Sequence, residues 1–169
     1  MKIPRRRDDG TQKGCWNQRG STAVEVALLI GPFLLLLVGI MEFGLYYFHQ
    51  HTLQFATREG MRLATVGRQL LDENGEPMDR TASIIKTIKD KASVAMEIDD
   101  SNIKIFKVGD NYQNPDDWEE ADPSAGNPAD YMRVQVTYDH EFATSLIGGF
   151  FGQGNTITME ARGTYRNEL

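Results

Sequence analysis

From Val26 to Met41 the sequence runs sixteen residues without a charge, bounded by Glu25 and Glu42. Apart from Glu42 and a few small residues it stays apolar as far as Phe48. At 1.5 Å per residue, a helix over residues 26–48 reaches about 34 Å, enough to cross a hydrocarbon core of about 30 Å. Such a stretch in lipid must be helical, because lipid offers nothing to unpaired backbone amides and carbonyls. A chain of 169 residues built around it is one membrane element and one small domain.

Charge divides the chain unevenly. The formal charge is −6 overall, yet residues 1–19 carry six basic side chains against Asp8 and Asp9. The rest carries twelve basic and twenty-two acidic residues. A basic leader ahead of an apolar helix stays on the cytoplasmic side, so the C-terminal part is expected to be exported. An acidic exported domain argues against nucleic acid as a partner, since that needs clustered Lys and Arg. The only cysteine, Cys15, lies in the leader, so the chain forms no internal disulfide. The leader itself, with two glycines, a proline and no apolar period, is expected to be disordered. The apolar region is too long for an ordinary secretory signal and lacks a small-x-small site just beyond it, so removal from the far side is not expected.

The segment R-G-S-T-A-V-E at residues 19–25 continued by Val26 reads differently. Glycine resists helical winding and presents a bare backbone to a protease, and Glu25 lies five residues past Gly20, only about 6 Å of helix below Ser21. This arrangement resembles the processing site of type IV prepilins. The resemblance implies cleavage after Gly20 by a prepilin peptidase, Ser21 as the new N-terminus, and Glu25 paired with the N-terminal ammonium of an adjoining subunit. A carboxylate near the membrane edge is better tolerated beside a cation, its cost at the bilayer centre being about 2.5–3.5 kcal/mol. The plain alternative is an uncleaved anchor with Glu25 snorkelling to the headgroups.

Within the span, Gly31-Pro32 removes a helix hydrogen bond and predicts a kink or local loosening. Gly39 and Gly44 offer small surfaces for helix contact without forming a small-xxx-small pair. Tyr46 and Tyr47 suit the outer interface. Glu42, about 25 Å along the helix from Glu25, falls near it too, either half-solvated or in a specific contact. The helix then continues. Gln50, Gln54, Arg58 and Arg62 form one i, i+4 row, while Leu53, Ala56, Gly60, Leu63, Ala64 and Gly67 mark the opposite face. Gly67 suits a C-cap, giving a helix over residues 22–66. Gly60 in its interior costs about 1 kcal/mol relative to alanine, which points to another backbone approaching closely there.

The run EVALLIGPFLLLLVGIMEFG followed by LQFATREGMRLATVGR resembles the TadE-like family, minor pseudopilins of tight-adherence (Flp) pili. The shared features fall on Glu25, Pro32, Glu42-Phe43-Gly44, and Ala56-Thr57-Arg58-Glu59-Gly60-Met61-Arg62, within residues 20–68. Processing sites of the family often carry tyrosine after the glutamate, where this chain has Val26. The resemblance implies helix packing or assembly through Glu25, Pro32, Glu42, Arg58, Glu59, Gly60 and Arg62. It implies as partners a prepilin peptidase, other pseudopilins, the major pilin and the inner-membrane assembly platform, alongside the lipid bilayer.

Beyond Gly67, residues 69–78 with Asn74-Gly75 and Pro77 read as a turn or exposed loop. Asp79 can cap a second helix over residues 80–96 whose apolar face is Ile84, Ile85, Ile88, Ala92 and Met96. Its Lys86, Lys89 and Lys91 read as a solvated face. Residues 102–108 read as a strand, and residues 109–130, with three prolines and seven acidic residues, as a long loop. Residues 131–142 and 156–165 alternate as half-buried antiparallel strands. Between them, SLIGGFFGQGN is a packing loop or an exposed patch for a partner or the membrane surface.

No nucleophile motif, phosphate loop or zinc spacing occurs. His49 and His51 point to nearly opposite sides of a helix, which does not suit a shared metal. The acidic residues at 110–122 lack the ordered spacing of a calcium loop. The chain therefore reads as a non-enzyme with no cofactor and no metal. The expected architecture is α+β and pilin-like, with a cytoplasmic leader at residues 1–20, cleaved, and a transmembrane helix at 21–48. Residues 49–169 form an exported domain in which residues 49–67 continue the helix beside a second helix and an antiparallel sheet of about three strands. Two alternatives remain: a pseudopilin of a related secretion system, and an uncleaved single-pass protein with an exported ligand-binding or adhesive domain.

Overall fold

The structure, a computed structural model, describes residues 18–109, 111–149 and 154–168. The leader through residue 17, Cys15 included, and the middle of the glycine-rich loop at 150–153 lie outside the described residues. The chain divides into two compact units, Met1–Gly39 and Ile40–Leu169.

Helix α1 (Gln18–Val66) is continuous through Pro32. In the first unit its side chains, Val24, Leu28, Leu29, Phe33 and Leu36 among them, are exposed. Its apolar window has a mean hydropathy of 2.5 and none of it is buried. An apolar helix that nothing in its own fold covers is the pattern of a segment built for lipid. α1 begins at Gln18, so the backbone of Gly20 and Ser21 already lies within it. It ends where Gly67, at φ 67°, donates its N–H to the Ala64 carbonyl at 3.1 Å, the left-handed stop that glycine takes without strain.

The second unit is α+β. α2 (Arg80–Ala92) starts at Asp79, whose carboxylate accepts the N–H groups of Thr81 at 2.9 Å and Ala82 at 3.4 Å. The helix stops four residues short of the expected 96. Ser93 turns its hydroxyl onto the Asp90 carbonyl, and the amides of Ala95 and Met96 both bond to the Ala92 carbonyl. Met96 nevertheless remains buried.

Strands β1 (Ile103–Lys107), β2 (Tyr131–Glu141) and β3 (Thr156–Arg166) form an antiparallel sheet in that order. Val134 pairs with Ile105 on one side and Gly163 on the other. Between β2 and β3 lies the short helix α3 (Ser145–Gly148), with Ile147 buried. The described half of this loop packs against its own domain.

Alternation decides the faces. Ile103, Ile105, Met132, Val134, Val136, Met159 and Ala161 turn inward and join Leu53, Ala56 and Ala64 of α1 and Ile84 and Ile88 of α2 in one core. The other row is not wholly solvated, since Gln135 is buried and Phe106 lies under Trp118, ring centres 5.2 Å apart. Gly60 does admit a close neighbour, but not a backbone. A Cβ there would lie 2.5 Å from Ile88 Cγ1, so the glycine accommodates a side chain of α2 and the expected backbone approach is corrected. The apolar faces were legible because burial in one core requires periods of 3.6 and 2.

Candidate functional site

Four of the residues singled out by sequence fall in the first unit: the backbone of Gly20 and Ser21 lies in the first turn of α1, and Glu25 and Pro32 are exposed. The other described ones fall in the second unit and divide between two places. Arg58, Glu59, Gly60 and Arg62 lie in two turns of α1. Gly60 is buried against α2, Arg62 bridges Glu59 at 3.0 Å, and Arg58 is exposed. With Gln54, Thr57 and Met61, Arg58 lines an open groove of about 360 Å³ beside Glu160, Ala161 and Arg162 of β3. Thus the motif's glycine serves the core, while its charged residues line the surface and one ion pair. An exposed i, i+3 pair contributes only about 0.3–0.5 kcal/mol.

Glu42 is elsewhere and is not half-solvated. It is 4 % exposed, and its carboxylate accepts the N–H of Ala143 at 3.2 Å and of Thr144 at 2.7 Å. Those amides stand at the start of α3, where no earlier carbonyl can serve them, so the carboxylate supplies the missing acceptors. A buried charge is tolerated only with such partners.

One and two turns further along the same face of α1, Tyr46 and His49 meet the end of β2. Tyr46 stacks on Phe142 with ring planes 11° apart and meets His140 edge-on at 5.8 Å. His49 Nδ1 lies 2.9 Å from His140 Nδ1, and His49 is also edge-on to Tyr138. His140 is 3 % exposed. Burial holds its pKa below the ordinary value, the neighbouring His49 pushes it the same way, and Glu42 pulls weakly in the other direction. His51 points outward, as the spacing indicated. The sequence showed only that His49 and His51 diverge; the partner of His49 lies 91 residues away and no local period marks it.

A second polar hub also escaped the sequence. Asn167, buried, donates to the carbonyls of Ala125 at 2.7 Å and Asn127 at 3.0 Å, and accepts from Arg80 at 2.9 Å. It ties the chain's end to the start of α2 and to the long loop. That loop is further pinned by Arg133, which bonds the Tyr112 carbonyl at 2.9 Å and the Asn114 side chain.

Among the described residues, no group of three or more His, Cys, Asp or Glu side chains is placed to hold a metal ion. One helix is long and apolar enough to cross a membrane. Neither the curated proteins nor the solved structures include a match to this chain. The stretch that carries Glu25, Pro32, Glu42 and the Arg58–Arg62 motif does match a known family: residues 20–62 fit the family model of the TadE-like proteins.

Proposed function

We propose that this chain is a membrane-anchored minor pseudopilin that helps assemble or initiate a tight-adherence pilus. The observation that carries this reading is the TadE-like match, which opens at residue 20, the glycine of the processing site, and runs into the second unit. In this reading the chain inserts with its leader inside and a prepilin peptidase cuts after Gly20. Residues 22–41 then fill the hydrocarbon core, since twenty helical residues reach about 30 Å. The domain beginning at Glu42 is exported. That boundary is supported by Glu42 itself, whose carboxylate is served by domain amides instead of lipid.

Assembly with other pseudopilins, the major pilin and the inner-membrane platform would use the exposed face of α1 and a Glu25 charge pair. The open surroundings of Gly39 and Gly44 suit close helix approach. Intact mass of the membrane-extracted protein from a host with an active peptidase tests the processing step. Loss of residues 1–20 is expected, and Gly20→Trp should abolish it. A mature chain that still carries its leader would leave a single-pass anchor with an exported domain in place of a pseudopilin.

A further inference from the structure

The His49–His140 contact is not needed for anchoring or for processing, yet it brings two titratable rings within 2.9 Å of each other. Its geometry selects a proton. The ring centres are 4.9 Å apart with the nitrogens at 2.9 Å, so most of the remaining separation is taken up by the rings and the nitrogens face each other nearly head-on. A metal between them in that attitude would need about 4 Å, two bonds of about 2.0–2.1 Å. One Nδ1 must therefore donate and the other accept.

The surroundings decide which. His140 Nε2 is buried and has no partner among the described residues. A proton there would be a buried donor lacking an acceptor, so His140 carries its hydrogen on Nδ1 and donates to His49, whose Nε2 holds the other. A further proton has no comfortable place. On His49 Nδ1 it sets N–H against N–H across the gap unless His140 shifts its own hydrogen to Nε2, where that donor is buried and unmet. On His140 Nε2 it creates a buried cation with an unmet donor.

The groups around the pair offer little relief. From α1 come Glu42 and Tyr46, from β2 Tyr138, from the following loop Phe142, and from β3 the apolar Ile157 opposite His140. Both oxygens of Glu42, the one carboxylate that acts on His140, are already engaged by the Ala143 and Thr144 amides.

We propose that His49 and His140 form an acid-sensitive latch, holding the Glu42–His49 segment of α1 on the end of β2 at neutral pH and releasing it when the pair takes up a proton. The sign follows from His140. Its proton affinity is lower in the folded domain than in an open one, so the open form binds more protons. The contact is at full strength above about pH 6.5 and weakens as pH falls below it. The latch requires only the fold of the second unit and stands whether or not the chain enters a pilus.

Hydrogen exchange of the full chain in phosphatidylcholine nanodiscs, corrected for intrinsic rates, tests it. Protection of the Phe142, Ala143 and Thr144 amides should fall about tenfold for each unit by which pH passes below 6.5, the change that one linked proton carries, down to the pKa of the folded pair. The Val134 amide in the sheet centre should hold. His140→Phe keeps an aromatic ring in the cluster and removes the more deeply buried of the two titrating rings, so the fall should shrink to what His49 alone carries. Should that variant not fold, His49→Gln serves, because its amide oxygen accepts from His140 Nδ1 in either charge state and removes the neighbour that lowers the His140 proton affinity, so the fall should be smaller and end at a higher pH. Unchanged protection in the wild type between pH 7.5 and 5 overturns the latch. So does the same fall at the same pH in the variants.

Discussion

Glu42 Oε1 accepts the Thr144 amide at 2.7 Å, joining α1 to a residue 102 positions later at the start of α3. The carboxylate stands one residue past the fully apolar run and caps a turn that has no carbonyl of its own to offer. It therefore ties α1, just past its uncharged run, to the start of α3.

Glu42→Ala removes both acceptors from the part-buried Ala143 and Thr144 N–H groups. We expect a loss of about 1.5–3 kcal/mol in domain stability, the range for hydrogen bonds to a charged group. Urea unfolding of the nanodisc-held protein, followed through Trp118, reads this as a lower midpoint with an unchanged slope. A midpoint within error of wild type would mean that water replaces the carboxylate at no cost.

Gly60→Ala sets two effects against each other. Alanine improves a helix interior by about 1 kcal/mol, but here its Cβ would meet Ile88 Cγ1 at 2.5 Å. Overpacking a filled core costs about 1–3 kcal/mol, so net destabilisation is expected. Gly44→Ala, with nothing within 4 Å of its Cβ, is the matched control and should be neutral or stabilising. Equal effects at the two positions would show that the α1–α2 packing is looser than described.

Asn167→Ala strips three hydrogen bonds from a buried site, takes the Asn167 donor from the carbonyls of Ala125 and Asn127, and leaves Arg80 Nη2 only its 3.4 Å bond to the Ala64 carbonyl. Each unmet buried group costs about 1–3 kcal/mol. The variant should unfold at clearly lower denaturant, while Thr164→Ala on the solvent face of β3 should stay within about 0.5 kcal/mol of wild type. The idea fails if the two substitutions are indistinguishable.

Glu25→Ala should leave insertion intact, because it removes a charge from the edge of an apolar helix. Recovery of partner pseudopilins on co-purification should drop. Undiminished recovery would remove Glu25 from assembly and leave it as a solvated end of the span.

The sequence by itself determined what depends on neighbours along the chain. The uncharged run to Met41, the Gly67 stop, the Asp79 cap and the alternation of β2 and β3 are local patterns, set by chain geometry with periods of 3.6 and 2. Even Gly60 announced an intimate contact by its presence in a helix interior, although not that the neighbour is Ile88. Tertiary structure alone decided the polar contacts: Glu42 with the Thr144 amide, His49 with His140, Asn167 with Arg80. Their partners lie 102, 91 and 87 residues away. A single histidine or glutamate looks the same whether water or a distant backbone amide will satisfy it, and only the register of β2 beside α1 makes that choice.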